Sequence, residues 1–146
     1  IHHFNTMPET ERVLIAGAGP AGILAAIQLL RRNANSSANN IKYHVTLVDA
    51  GRDYGTLTAE ELPSHRSWMI GLSSHGLTAI REVPGLYEDY VADVGVELDS
   101  LSIFLGAKEI KAKAEDAGEN FIVDRNYVVS SLARCLNDKF GNDSHF

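Results

Sequence analysis

Apolar residues in this chain follow two periods, and the switches between them mark its elements. "RVLIA" (Arg12–Ala16) is a short run of branched side chains, the pattern of a buried parallel strand. "AGILAAIQLLRR" follows, made mostly of good helix formers, with Pro20 placed for a first helical turn. "KYHVTLVDAG" alternates, then runs apolar and ends at Asp49, as a second strand should. Thr58 and Glu61 in "TAEELP" form a capping box, which predicts one helical turn closed by Pro63. "RSWMIGLSSHGLTAIREVPG" begins extended and turns helical around Ser74, with Leu77, Ile80 and Arg81 at helical spacing and a stop at Pro84. "PGLYEDYVADVGV" predicts a second short helix from Pro84 to Gly95.

The later part of the chain alternates again. Leu101, Ile103 and Leu105 share one face of "ELDSLSIFLG", while Ile110, Ala112 and Ala114 lie opposite the solvated Lys111 and Lys113. With Gly106 between them, residues 97–114 read as a strand pair, a hairpin excursion followed by the turn "EDAGEN". "FIVD" is a brief extended stretch leading to Asp124 as a helix N-cap. "RNYVVSSLARCLNDKF" is then amphipathic, with Val128, Leu132, Leu136 and Phe140 in one core stripe.

The chemistry-bearing motif is the turn between the first strand and helix. Gly17, Gly19 and Gly22 stand in the order G-x-G-x-x-G. Gly17 permits a tight turn, Gly19 lets backbone approach a pyrophosphate, and Gly22 lets the helix pack on the strand. Unpaired N–H groups at the helix start would then face an anion. The acidic residue expected at the end of the next strand is Asp49, 27 positions past Gly22. The polar tract "NANSSANN" (33–40) accounts for the excess spacing, and we read it as a flexible insertion. A carboxylate there favours a free 2′-hydroxyl, as in NAD or the adenosine half of FAD.

Composition narrows the partners. The 146 residues carry a net charge of −6, with no basic patch, which argues against nucleic acid. Cys135 is the single cysteine and falls in an amphipathic helix, so it reads as a buried thiol in a reducing, cytoplasmic setting. No apolar run reaches the ~20 residues of a membrane span. Residues 1–6 read as a tag or upstream remnant, and Met7 as a natural start with no signal or transit peptide behind it. His65 and His75 read as incidental, and no metal site is expected.

Four segments in order, "GAGPAG", "LVDAGR", "RSWMIGLSSHGLTAIREVPGLYEDYV" and "VDRNYVVSSLARCL", resemble the flavin-dependent aromatic hydroxylases, the single-component FAD monooxygenases, and most nearly their kynurenine-hydroxylating branch. The resemblance spans most of the chain but only the front of such an enzyme. It implies an α/β chain with a partial Rossmann-like FAD-binding fold over residues 7–146. By motif position, Gly17, Gly19, Pro20, Ala21, Gly22 and Asp49 would hold the ADP half of FAD. Arg66 would lie on the flavin side, and Arg125 near the pyrophosphate or ribityl chain. A guanidinium fork suits phosphate oxygens. NAD(P)H would be the reductant and a small aromatic molecule the substrate of the complete enzyme, whose later part could add an organelle-membrane anchor.

This sequence departs from the family in two places. The family's acid is usually glutamate followed by arginine; here Asp49 is followed by Ala50 and Gly51 before Arg52. Glu97 and Asp99 stand where the kynurenine branch carries groups for a substrate carboxylate, which argues against kynurenine itself. The family's later cofactor-gripping segments have no counterpart up to Phe146, so we expect an N-terminal part without a catalytic residue, inactive alone and prone to self-association through unpaired sheet edge. The competing readings are a non-catalytic NAD- or FAD-binding Rossmann module, a fragment of another FAD-dependent oxidoreductase, and a degenerate fold used as an interaction surface.

Overall fold

A computed structural model describes residues 9–34, 41–98, 100–113, 121–141 and 144–145. Residues 1–8, residues 35–40 of the expected insertion, Asp99, and Ala114 with the expected turn at 115–120 lie outside the described residues.

The chain is mixed α/β. Strand β1 (Glu9–Ala16) enters a glycine turn and helix α1 (Pro20–Ala34), and β2 (Ile41–Val48) returns parallel to β1. The register sets Val13 beside Val45 and Ile15 beside Leu47. Because side chains alternate along a strand, these four share one face of the sheet. Ile23, Ala26, Ile27 and Leu30 of α1 cover that face and are buried. The opposite face stays open: Leu14 is 68% exposed and Val48 45%.

Helix α3 (Arg125–Phe140) packs beside α1, and its stripe Val128, Leu132 and Leu136 is buried, with Phe140 half-buried at the end. Cys135 is a free, fully buried thiol whose pKa is pushed up by that burial. Beyond α3, β8 (Ser144–His145) pairs parallel with β2 at Val45 and Thr46, giving the order β1-β2-β8.

A second sheet runs β3 (Met69–Leu72), β7 (Phe121–Asp124), β4 (Gly95–Glu97), with β7 central and both neighbours antiparallel. Phe121 and Val123 of β7 are buried in the common core. Helix α2 (Ser74–Arg81) follows β3, with Leu77 and Ile80 inward. Strands β5 (Ser100–Leu105) and β6 (Lys108–Lys113) form the expected hairpin, and Gly106 supplies the positive φ of its two-residue turn.

Four local expectations are corrected. Asn33 belongs to the last turn of α1, not to a flexible insertion. Its side-chain amide donates to the Tyr43 carbonyl at 2.9 Å and its oxygen accepts the Tyr43 N–H at 2.7 Å, fastening the helix end to β2. The segment after Pro84 is not an ordinary helix. Gly85 sits at φ +73, so the chain restarts at Leu86 as one π-helical turn (Tyr87–Val91) that tightens into a 3₁₀ turn (Ala92–Val94). Thr58 and Glu61 do bond reciprocally, but Pro63 then lies inside a 3₁₀ turn (Leu62–Ser64) rather than closing the first. Glu97 is in β4, opposite Phe121, and not in the hairpin.

Candidate functional site

The site forms where β1 ends, α1 begins and β2 ends. Gly17 has φ +111, a conformation that strains any side chain, and its N–H donates to the Val48 carbonyl at 2.7 Å. A Cβ on Gly22 would overlap the Gly17 carbonyl oxygen, so α1 reaches this close to the strand only with glycine there. The first helical bond runs from Ile23 N–H to Gly19 carbonyl at 3.0 Å. Pro20 has no N–H, and the first-turn amides of Ala21 and Gly22 have no intrahelical acceptor, leaving the positive end of the helix dipole at the turn.

Asp49 faces that turn from the end of β2. One carboxylate oxygen accepts the Ala18 N–H at 2.7 Å, and the other accepts the Gly51 N–H at 2.6 Å. The Gly51 and Ala18 amides, with the positive charge of Arg125 adding to them, hold its carboxyl below the usual 3.8. Asp49 is exposed, and each oxygen of a carboxylate offers about two acceptor positions. The carboxylate therefore keeps capacity for two further donors.

A cleft of about 250 Å³ opens beside it. Ile23, Leu47, Tyr54, Val129 and Ala133 give it apolar walls, while Asp49 stands with Arg52 and Asp53 among its lining. Tyr54 is held in a short turn whose cap is Asp53, accepting the Gly55 N–H at 2.8 Å. His65 meets the Tyr54 ring edge-on at 6.1 Å.

Arg125 arrives from the other sheet. Its Nη2 lies 3.6 Å from the place a Cβ on Gly19 would take, so the guanidinium borders the glycine turn. The β7–α3 junction that carries it is tightly laced. Asp124 caps α3 through the Asn126 N–H at 2.7 Å, and Ser67 Oγ donates to the same carboxylate oxygen at 2.5 Å. The Arg125 N–H donates to the Trp68 carbonyl at 3.1 Å, and the buried Asn126 amide reaches the His65 and Arg66 carbonyls.

The structure thus brings Gly17, Gly19, Pro20, Ala21, Gly22, Asp49 and Arg125 into one region. Arg66 is exposed, and its carbonyl accepts from the Asn126 amide. Sequence reasoning missed the cleft walls and Trp68. Val129 and Ala133, four apart on α3, form a second stripe beside the core one and were visible as such. Trp68 gave a fainter signal, as the chain's single tryptophan two residues beyond Arg66.

Among the described residues no group of His, Cys, Asp and Glu could hold a metal ion, and no helix is long and apolar enough to cross a membrane. No family model matches the chain, and no curated protein matches it.

Proposed function

We propose that this chain binds the ADP portion of FAD on a Rossmann-like βαβ unit, as the cofactor-holding front of an NAD(P)H-dependent aromatic monooxygenase. The observation that carries the reading is the Asp49–Ala18 bond, which joins a ribose-type acceptor to an anion-facing glycine turn in one unit. The residues present fit the group. Asp49 has acceptor capacity for the ribose hydroxyls, and the apolar cleft beside it suits a flat purine. Gly19, the Ala21 and Gly22 amides and the Arg125 fork suit the pyrophosphate.

Bound flavin would supply the redox chemistry, passing electrons from NAD(P)H to dioxygen for hydroxylation of an aromatic ring. The chain's own part is to bind and orient. Asp49 fixes the adenosine end, the α1 N-terminus and Arg125 neutralise the diphosphate, and the α1–α3 wall keeps the purine out of water. We assign no catalytic side chain here. The outer edge of β1 and the open face of its sheet, with Leu14 of β1 and Val48 of β2 exposed, support self-association as part of the same reading.

The test is binding by the purified chain of FAD, ADP, NAD⁺ and NADP⁺, followed by flavin fluorescence and calorimetry. FAD and ADP should bind saturably, and NADP⁺ more weakly than NAD⁺ because its 2′-phosphate meets the Asp49 carboxylate. NAD⁺ binding tighter than FAD would move the chain to the NAD-module reading. No binding of ADP or FAD at millimolar concentration would remove the nucleotide reading altogether.

A further inference from the structure

Arg125 is the basic group beside the glycine turn, yet no carboxylate holds it: among the described residues it makes no ion pair, and Asp49 acts on it only through space. A free arginine side chain loses rotamer freedom when it binds an anion, and that loss must be offset. The contact that restrains it is aromatic. The Arg125 guanidinium carbon lies 5.3 Å from the centroid of the Trp68 ring, within reach of a cation–π interaction.

The two residues are also locked through their backbones. Arg125 N–H donates to the Trp68 carbonyl, while on either side Ser67 Oγ bonds Asp124 and accepts the Asn126 N–H at 3.3 Å. The backbones that carry the indole and the guanidinium therefore cannot part without breaking the cap of α3. Trp68 is nonetheless 58% exposed, which leaves it open to a ligand at the turn.

We propose that Trp68 is a positioning residue: its indole holds the Arg125 guanidinium against the Gly17–Gly22 turn, ready for a diphosphate. The assignment rests on the nucleotide reading above. It makes a specific demand on the ligand, because only a group carrying phosphates should feel the loss of Trp68. Adenosine should not.

Trp68 is the only tryptophan, so its emission reports this contact directly. The experiment titrates the full chain with ADP and with adenosine, reading tryptophan fluorescence and, for variants lacking the indole, calorimetry. ADP should change the Trp68 emission saturably and adenosine should leave it unchanged. Trp68→Ala should weaken ADP roughly three- to tenfold and leave adenosine affinity unaltered, while Trp68→Phe recovers most of the loss. Arg125→Ala should weaken ADP further, and Trp68→Ala added to it should cost nothing more. ADP binding indifferent to Trp68→Ala, or equal losses for ADP and adenosine, would overturn the assignment alone. A wild-type chain that binds neither ligand would overturn the nucleotide reading and this assignment with it. Circular dichroism of each variant separates a local loss from unfolding. If the alanine variant fails to fold, the wild-type emission carries the test: Trp68 emission unmoved by saturating ADP, or moved equally by adenosine, overturns the assignment.

Discussion

Asp49 accepts the main-chain N–H of Ala18 at 2.7 Å across 31 residues of sequence. That bond ties the end of β2 to the glycine turn and fixes the carboxylate where a ribose would lie. Asp49→Asn keeps the size but replaces one acceptor oxygen with a donor. ADP affinity should fall roughly ten- to a hundredfold, the scale of losing hydrogen bonds to a charged acceptor. Because the folded carboxyl is held below its usual 3.8, its contribution to stability is present above about pH 4 and is lost as pH falls through the lowered value. Acid unfolding of Asp49→Asn should therefore show a shallower dependence on pH in that window, and superimposable profiles would argue against it.

Gly22→Ala tests the packing of helix on turn. The added Cβ meets backbone, the Gly17 carbonyl, which has no flexible end to swing aside. Urea unfolding should show a loss of about 1–3 kcal/mol, the range of overpacked sites. Gly106→Ala, at a hairpin turn with open space around it, should cost less, through its positive φ alone. Equal losses would mean that the α1–β1 approach is looser than described.

Tyr90 should titrate late. Burial, and then the bond its hydroxyl donates to Asp138 at 3.0 Å, push its pKa up to about 12 from 10.0. A group with a raised folded pKa stabilises fully below its unfolded value and loses that contribution as pH rises through the folded one. The protein should lose stability between about pH 10 and 12, and Tyr90→Phe should flatten that limb. Ultraviolet titration of the phenolates reads the same group directly; a Tyr90 signal at the ordinary value would refute the prediction.

Leu14 probes the open sheet face. At 68% exposed on the strand that forms the sheet edge, Leu14→Lys should leave folding within about 0.5 kcal/mol of wild type. Self-association, measured by sedimentation equilibrium, should weaken in the variant. A monomeric wild type, or association unchanged by the lysine, would count against pairing through β1.

Where local chemistry decides structure, the sequence was readable. The glycine spacing marked the turn, the strand-ending acid marked Asp49, and the Asp124 cap marked the start of α3. What escaped depended on contacts distant in sequence. Asn33 reads as loop by composition, yet two bonds to Tyr43 hold it in the helix. Pro84 reads as a helix start, but the positive φ of Gly85 delays it and leaves a wide turn. Arg66 and Arg125 look alike in sequence as basic residues at segment starts. The pairing of β3 with β7 brings their segments together, yet the Arg125 guanidinium borders the glycine turn while Arg66 is exposed.

On the proposed function, the glycine turn and Asp49 together bind an adenosine diphosphate group. The most direct measurement is an ADP titration of the ¹⁵N-labelled chain, followed by amide resonances. The largest shifts should fall on Ala18, Gly19, Ala21, Gly22 and Gly51, with the Trp68 indole N–H moving alongside them. Amides of the 100–113 hairpin should stay in place. Shifts centred on the hairpin or on the open face around Leu14, or none at millimolar ADP, would contradict the account.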